Sequence, residues 1–275
     1  MESKYLKSSK ESTFFESEDT FSQVDDGNNL FGAAKRFLSG DVEDEVGRVG
    51  LFRYLARNRF VFKLLGKALI LRYPHDPKKF EDTYDTSLNK HLDNVLSYTI
   101  KRSAYKPILG VNRRTEPFYK YLSLPPRDLS SEKLLVIGGK DVAELFIAWT
   151  YGFKWSNIIG IDLFSLHPKI QIMDMEEMSF DDQSFDSVAL CHTYGYQADK
   201  FRCLREIYRV LVIGGHLVFN SQYAADITQI GEGVNCNTSP SEMTTFFEQI
   251  GFTIIASTHK PNGPYINSLW LVEKA

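Results

Sequence analysis

Three polar features follow apolar segments at intervals that suit the binding of a nucleoside. The first is the glycine pair Gly138-Gly139, which ends a run of four apolar residues. Asp162 closes a second apolar segment 24 residues after Gly138, and Asp174 follows a third segment after a further 12 residues. A carboxylate such as Asp162 can accept hydrogen bonds from both hydroxyl groups of a ribose. An isolated aspartate at a strand end also serves as a turn former or helix cap, so the three features indicate a binding site only together.

The elements that must position these residues are predicted to form a parallel sheet. From residue 132 onward, short apolar segments alternate with amphipathic ones, which is typical of a sheet covered by helices on both faces. The carboxyl ends of such strands share one edge, where ligands bind. The last two segments lie too close together for a helical crossover and are predicted to pair antiparallel. The predicted strands are 134–137, 157–162, 170–173, 185–191, 216–220, 252–257 and 266–273, with helices at 142–151, 199–211 and 241–250.

The first 126 residues differ from the rest in composition. Residues 1–29 are rich in Ser, Glu, Asp and Asn and are predicted to form a mobile arm. Residues 30–126 are predicted to form a helical segment. The Pro125-Pro126 pair favours an extended linker, so we place the boundary of the α/β domain there, at residues 127–275.

Within the helical segment, residues 48–72 carry seven arginine or lysine residues and no acidic residue. Their apolar residues recur at helical spacing, which predicts a basic amphipathic helix. Such a helix can cap the protein core, bind an acidic substrate or partner, or lie on an anionic membrane. We take the structural cap as the first interpretation and membrane contact as the last.

Bulk composition disfavours several classes of function. The 275 residues include 32 Lys and Arg against 35 Asp and Glu, and this net charge of −3 disfavours a nucleic acid substrate. No apolar run approaches the roughly 18 residues of a membrane span, and the polar N-terminus is unlike a signal peptide, so a cytoplasmic protein is expected. The three cysteines lack metal-ligand spacing, and neither a metal site nor a disulfide is predicted.

Two motifs resemble those of class I S-adenosylmethionine-dependent methyltransferases, in particular the small-molecule type 11 group. Residues 174–186 (DMEEMSFDDQSFD) are similar to the family pattern D-x-x-x-L-P-F-x-D-x-S-F-D. Residues 206–215 (EIYRVLVIGG) are similar to E-x-x-R-V-L-K-P-G-G. The resemblance covers about residues 132–275. It implies a Rossmann-like α/β sheet of seven strands in the order 3-2-1-4-5-7-6, with S-adenosyl-L-methionine as cofactor and S-adenosyl-L-homocysteine as product.

The glycine loop departs from the family pattern D/E-x-G-x-G-x-G. Val136 stands at the acidic position, Lys140 at the second glycine and Val142 at the third. The run 137–145 resembles a subset of methyltransferase-like proteins whose loop reads I/V-G-x-R/K-x-x-x-E-L. In that setting Lys140 is a candidate contact for the carboxylate of the cofactor and Glu144 for its amino group. The alternative is an ion pair between the two residues on a helix surface.

The resemblance places the reacting methyl group beside the loop that follows the fourth strand. His192 is the candidate general base, because an unperturbed pKa of about 6.5 suits proton transfer near neutral pH. The alternative is a packed loop histidine. Tyr194 and Tyr196 are candidates to orient the acceptor or stack on it. Cofactor contacts are expected from Gly138, Gly139, Lys140, Glu144, Asp162, Leu163, Asp174, Met175 and Cys191.

The expected function is methyl transfer to an oxygen or nitrogen atom of a small molecule. The basic residues at 48–72 would suit an acidic or nucleotide-linked acceptor, with the helical segment as a substrate-binding cap. Two alternatives stay open. One is a scaffold or binding protein whose altered loop no longer holds the cofactor, and the other is an enzyme that keeps the cofactor but performs different chemistry.

Overall fold

The computed structural model describes most of the α/β region and parts of the segment before it. The described residues are 53–58, 60–62, 64, 115–139, 142–163, 169–190, 192–197, 199–224 and 238–275. The predicted arm at 1–29 and most of the predicted helical segment at 30–126 lie outside the described residues, as do Lys140 and Cys191. The division of the chain at residue 126 therefore stays a prediction.

Among the described residues from 115 onward, four α-helices and seven strands follow one another. The helices are α1 (Glu116–Leu122), α2 (Val142–Thr150), α3 (Lys200–Val210) and α4 (Pro240–Ile250). The strands are β1 (Leu134–Ile137), β2 (Ile158–Asp162), β3 (Ile170–Ile172), β4 (Phe185–Leu190), β5 (Leu211–Ala224), β6 (Phe252–Asn262) and β7 (Tyr265–Lys274). Among the described residues, no helix is both long and apolar enough to cross a membrane.

The seven strands form one sheet in the order β3-β2-β1-β4-β5-β7-β6. β7 is antiparallel to both β5 and β6, whereas the other pairs are parallel. The predicted strand order and the predicted terminal hairpin are both confirmed. β1 lies in the centre, and all four of its side chains are buried, which explains why its sequence is continuously apolar.

Two strands extend beyond their predicted bounds because of the antiparallel partner that they share. β5 was predicted at 216–220, but its pairing with β7 continues from His216 to Ala224. β6 was predicted at 252–257, and its ladder with β7 runs on to Asn262. A hairpin adds backbone hydrogen bonds beyond the apolar core, and the apolar pattern does not record these exposed pairs.

The helix ends carry the signals that their sequences predict. Asp199 caps α3, with its side chain accepting a hydrogen bond from the backbone N–H of Arg202. At α4, Ser239 and Glu242 form a reciprocal capping box ahead of the core-facing residues Met243 and Phe247. Gly251 ends the same helix with φ 103°, a left-handed conformation that glycine adopts without strain. Local chemistry thus sets the start of α3 and both ends of α4.

The two family-like motifs meet through Arg209 of α3. Its guanidinium contacts the carboxylates of Glu206 and Asp182, each at 2.8 Å. It also donates to the backbone carbonyls of Phe180 at 2.7 Å and Met178 at 2.9 Å. Arg209 of the second motif therefore holds the loop of the first motif against α3. These contacts explain why the two motifs occur together in the sequence.

Arg53 and Arg57 of the basic segment bind the carboxyl end of α2. Arg53 and Arg57 belong to the same compact unit as the described strands. Arg57 donates to the carbonyl of Thr150 through Nε at 2.9 Å and Nη2 at 2.6 Å. Arg53 donates to the carbonyl of Gly152 at 3.2 Å. A positive charge is favourable at this negative end of the helix dipole, so the contacts favour the structural interpretation of these two arginines.

A polar cluster lies at the sheet edge opposite the carboxyl ends of the parallel strands. Arg127 pairs with Glu132 at 2.8 Å and also donates to Ser187 and His216, at 3.2 and 3.1 Å. Because an arginine only donates, Nδ1 of His216 acts as the acceptor and Nε2 carries the proton. That Nε2 lies 3.3 Å from a carboxylate oxygen of Glu273, so neutral His216 fits both neighbours.

His216 is expected to make the stability of the protein depend on pH. Burial, and then the charge of Arg127, lower the pKa of His216 from 6.5 to about 4 in the folded state. The unfolded chain takes up the proton first as pH falls, so stability is lost between about pH 6.5 and 4, by about 3 kcal/mol in total. Urea unfolding of His216→Gln should show a shallower pH dependence than the parent across this interval. His259→Gln, at an exposed histidine, is the control and should retain the parental slope.

Candidate active site

The sheet register brings the predicted site residues to one edge. Ile137 pairs with Ile161 on one side and Leu190 on the other, and Leu190 pairs with Phe219. The residues that follow Ile137, Ile161 and Phe219 therefore lie at one level of the sheet. They are Gly138 after β1, Asp162 at the end of β2 and Asn220 within β5. Cys191, which follows Leu190, lies outside the described residues.

The glycine turn after β1 is closed tightly against the neighbouring strand. Gly138 has φ 77° and donates its N–H to the carbonyl of Ile161 at 2.9 Å. A Cβ atom on Gly139 would lie 2.9 Å from Cγ1 of Val136 and 3.5 Å from Oε2 of Glu144. The turn thus requires glycine at its second position, and the Glu144 carboxylate lies directly over it.

Glu144 occupies a sheltered position in the first turn of α2. Its Oε2 is shielded from solvent. A carboxylate at this place can accept hydrogen bonds from an ammonium group that approaches the glycine turn. Val136 stands at the family's acidic position, and the Glu144 carboxylate is a negative group beside the same turn. Its proposed partner Lys140 lies outside the described residues.

Asp162 and Leu163 are half-buried at the carboxyl end of β2. The backbone carbonyl of Asp162 accepts a hydrogen bond from Met173 at 3.0 Å, which fixes the strand end against the segment after β3. This ladder contact uses the main chain of Asp162 and not its carboxylate. The binding of a pair of hydroxyl groups by this side chain stays a prediction.

Asp174 and Met175 are placed differently from one another. Asp174 is half-buried, and its Oδ1 accepts the N–H of Glu176 at 2.9 Å, the turn-forming role that was the alternative for an aspartate here. Met175 is 8% exposed and packs in the core with Met178. Contacts of Asp174 and Met175 with a purine ring stay a prediction.

His192 lies in the turn after β4 with an unusual backbone conformation. Its φ is 57°, in the left-handed region that L residues seldom adopt. Its N–H donates to Oδ1 of Asn220 at 3.2 Å, and its ring meets Phe118 edge to face at 5.2 Å. The imidazole Nε2 is shielded from solvent. His192 is thus held in a defined place beside the edge that carries the glycine turn.

The comparison with known families agrees with this strand order and these motifs. Residues 151–219 match the family described as the methyltransferase domain. The resemblance to class I methyltransferases is confirmed. The match covers the strands that carry Asp162, Asp174 and His192, and it ends at Phe219. No curated protein matches the sequence significantly.

Several solved structures are similar to this chain at low sequence identity. One is the Burkholderia thailandensis 1,6-didemethyltoxoflavin-N1-methyltransferase, at 13% identity and a TM-score of 0.49 over 67% of this chain and 87% of that one. A second is an S-adenosylmethionine-dependent methyltransferase from Methanosarcina mazei, at 13% identity and a TM-score of 0.40 over 52% of this chain and 92% of that one. A third is the [4+2]-cyclase SpnF, at 15% identity and a TM-score of 0.41 over 51% and 73%. These likenesses concern the fold alone.

Tyr194 lies in the core of the α/β domain. It is 1% exposed, packs on Phe219, and places its hydroxyl 3.4 Å from the sulfur of Met243. Burial raises the pKa of its hydroxyl, so proton exchange near neutral pH is disfavoured. This position favours a packing role over the predicted contact with an acceptor. The side chain of Tyr196 lies outside the described residues.

Two residues beside His192 were not identified from the sequence. Asn220 ends the strand predicted at 216–220, and a polar residue at a strand end was a signal that could have found it. Phe118 belongs to α1, 74 residues before His192, and nothing in its local sequence connects it with that loop. Asn220 could therefore have been identified from its position at a strand end, whereas Phe118 could be identified only from the tertiary structure.

Proposed function

We propose that this protein transfers a methyl group from S-adenosyl-L-methionine to an oxygen or nitrogen atom of a small molecule. One observation carries the proposal: a close glycine turn, the Glu144 carboxylate and Asp162 meet at one edge of a sheet with methyltransferase strand order. The family match over residues 151–219 supports the same reaction class. The small-molecule acceptor is inferred from composition and from the type 11 resemblance.

The residues present fit the two polar ends of the cofactor. Asp162, at the end of β2, would accept hydrogen bonds from the two ribose hydroxyl groups. Glu144, over the glycine turn, would bind the amino group of the methionine part. The Gly138-Gly139 turn brings backbone close to the ligand without the obstruction of a side chain. The site therefore has one carboxylate for each of these two groups.

For methyl transfer, the main task of the protein is to position the acceptor relative to the methyl group. A sulfonium cofactor supplies an already activated methyl group when bound, and in-line placement of the acceptor lowers much of the remaining barrier. The acceptor would attack the methyl carbon through a lone pair, with the sulfur as the leaving group, and the residues at this edge would hold the acceptor in line. Where the acceptor carries a proton, His192 would accept it. His192 is the titratable side chain held beside this edge by the turn after β4.

The acceptor is proposed to be a small molecule. The net charge of −3 disfavours a polyanionic substrate. An acidic or nucleotide-linked acceptor was suggested by the basic residues at 48–72, but Arg53 and Arg57 are engaged with the carboxyl end of α2. Support for an acidic acceptor is correspondingly reduced, and a neutral acceptor is equally consistent with the site.

Isothermal titration with S-adenosyl-L-homocysteine tests the proposal at its least usual residue. The protein is expected to bind this ligand, and Glu144→Gln is expected to raise the Kd about tenfold, since one charge-assisted hydrogen bond contributes about 1.5–3 kcal/mol. Glu248→Gln, at an exposed glutamate of α4, is the matched control and should bind as the parent does.

The possible outcomes separate the three readings of the fold. If the parent protein binds no S-adenosyl-L-homocysteine, the scaffold interpretation replaces the enzyme. If it binds the ligand and a screen with methyl-labelled cofactor and mixed metabolites yields no labelled product, while the metabolites are still converted, a different reaction uses the pocket. A labelled metabolite identifies both the activity and the acceptor.

A further inference from the structure

The turn after β4 contains a backbone conformation that its own sequence disfavours. His192 has φ 57°, where the β-carbon of an L residue crowds the main chain. Gln183 (φ 55°) is the other non-glycine residue with positive φ among those described. Such a conformation persists only where surrounding contacts hold it, and it is found most often at functional sites. The contacts around His192 therefore show what holds the turn.

Asn220 provides the polar contact. Its side-chain Oδ1 accepts the backbone N–H of His192 at 3.2 Å. Asn220 is itself fixed by the sheet, because β5 pairs with β4 through Phe219 and with β7 through the Asn220–Leu269 pair. Asn220 is thus held by two strand pairings, and its side-chain amide restrains His192, which lies outside both of them.

Phe118 provides a second restraint, on the imidazole rather than on the backbone. The two rings meet edge to face with centroids 5.2 Å apart, and Phe118 is 1% exposed. A buried aromatic ring on a short helix is not free to follow a moving neighbour. The backbone of His192 is therefore fixed from β5 and its side chain from α1.

We infer that Asn220 is a positioning residue for His192: its side-chain carbonyl holds the left-handed turn that sets the place of the imidazole. The consequence for catalysis rests on the proposed function, in which His192 accepts a proton from the acceptor. The coupling between Asn220 and His192 does not rest on it and can be measured without any acceptor.

Histidine-selective NMR of the full-length protein measures this coupling. The chain contains six histidines, and the imidazole resonance of His192 can be assigned from its absence in His192→Gln. In Asn220→Ala the resonance is expected to move or broaden and its titration midpoint to change. Asn220→Asp keeps an acceptor atom in place and should restore a single sharp resonance. Asn262→Ala, at an exposed asparagine of β6, should leave the resonance unchanged.

A thermal double-mutant cycle separates the turn from general packing. Asn220→Ala is expected to lower the Tm by about 2–4 °C in the parent. In a His192→Gly background the same change should have a much smaller effect, since glycine adopts positive φ without support. The Gln183→Gly background is the control, in which Asn220→Ala should cost as much as in the parent.

Each outcome supports or overturns the inference. An unchanged His192 resonance in Asn220→Ala, or an equal Tm loss in the glycine background, would overturn it. Titration with S-adenosyl-L-homocysteine is run in parallel on the parent protein. Absence of binding would refute the proposed function while leaving the measured coupling intact, whereas binding without coupling would refute the positioning role alone.

Discussion

Replacement of Asp162 by alanine is expected to weaken the binding of S-adenosyl-L-homocysteine at least a hundredfold. Two charge-assisted hydrogen bonds to the ribose hydroxyls would be lost, each contributing about 1.5–3 kcal/mol. Binding is measured by isothermal titration. The backbone carbonyl of Asp162, which accepts from Met173, keeps its ladder contact in the variant. Circular dichroism checks that the fold is retained.

Asp181→Ala is the control for this experiment. Asp181 is exposed and lies in the loop before β4, and only its backbone carbonyl is hydrogen-bonded, by Ser184. Its replacement should leave the Kd unchanged. Equal binding by Asp162→Ala and the parent would mean that the strand end does not hold the ribose, and the proposed site would have to be abandoned.

Replacement of Arg127 by alanine is expected to destabilise the protein by about 3–5 kcal/mol, because it leaves a buried charge without its partner. Glu132 would be left with the hydroxyl of Ser187, which donates to it at 2.7 Å, and His216 would lose the donor at Nδ1. The carbonyl of Leu122 at the end of α1 would also lose its hydrogen bond of 2.8 Å. Chemical unfolding gives the change in free energy directly.

Arg202→Ala measures what a similar but exposed ion pair contributes. Arg202 lies 3.1 Å from Glu177, and both side chains are more than half exposed. The expected loss is about 0–1 kcal/mol. If the two variants were equally stable, the cluster around Arg127 would be no more than a surface pair, contrary to its burial.

The strands and the hairpin were predictable because each depends on information that is local in the sequence, whereas the strand order was predicted from the family resemblance. A buried parallel strand such as β1 reads as a continuous apolar run, and the short connection between β6 and β7 excludes a crossover. The ends of α3 and α4 were equally local, because a cap needs only residues three or four positions apart. Element type and order follow from such signals.

The finer features of the site depend on contacts between distant parts of the chain. Phe118 meets His192 across 74 residues, and Asn220 reaches the same residue across 28. Tyr194 was predicted to be a site residue because it follows a strand. Its ring instead packs in the core against Phe219. Residue type and spacing identify the edge of the sheet, but tertiary packing decides which side chains face it.

The contacts of Arg53 and Arg57 bear on how this domain can be cut from its chain. A fragment that begins at residue 127, where the composition changes, would lose both arginines and with them the cap on α2, the helix that carries Glu144. It would also lose the buried α1 side chains of Phe118, Tyr119 and Leu122, leaving part of the sheet uncovered. A shortened protein intended for crystallisation or screening should therefore keep these preceding segments, although the family resemblance begins only after them.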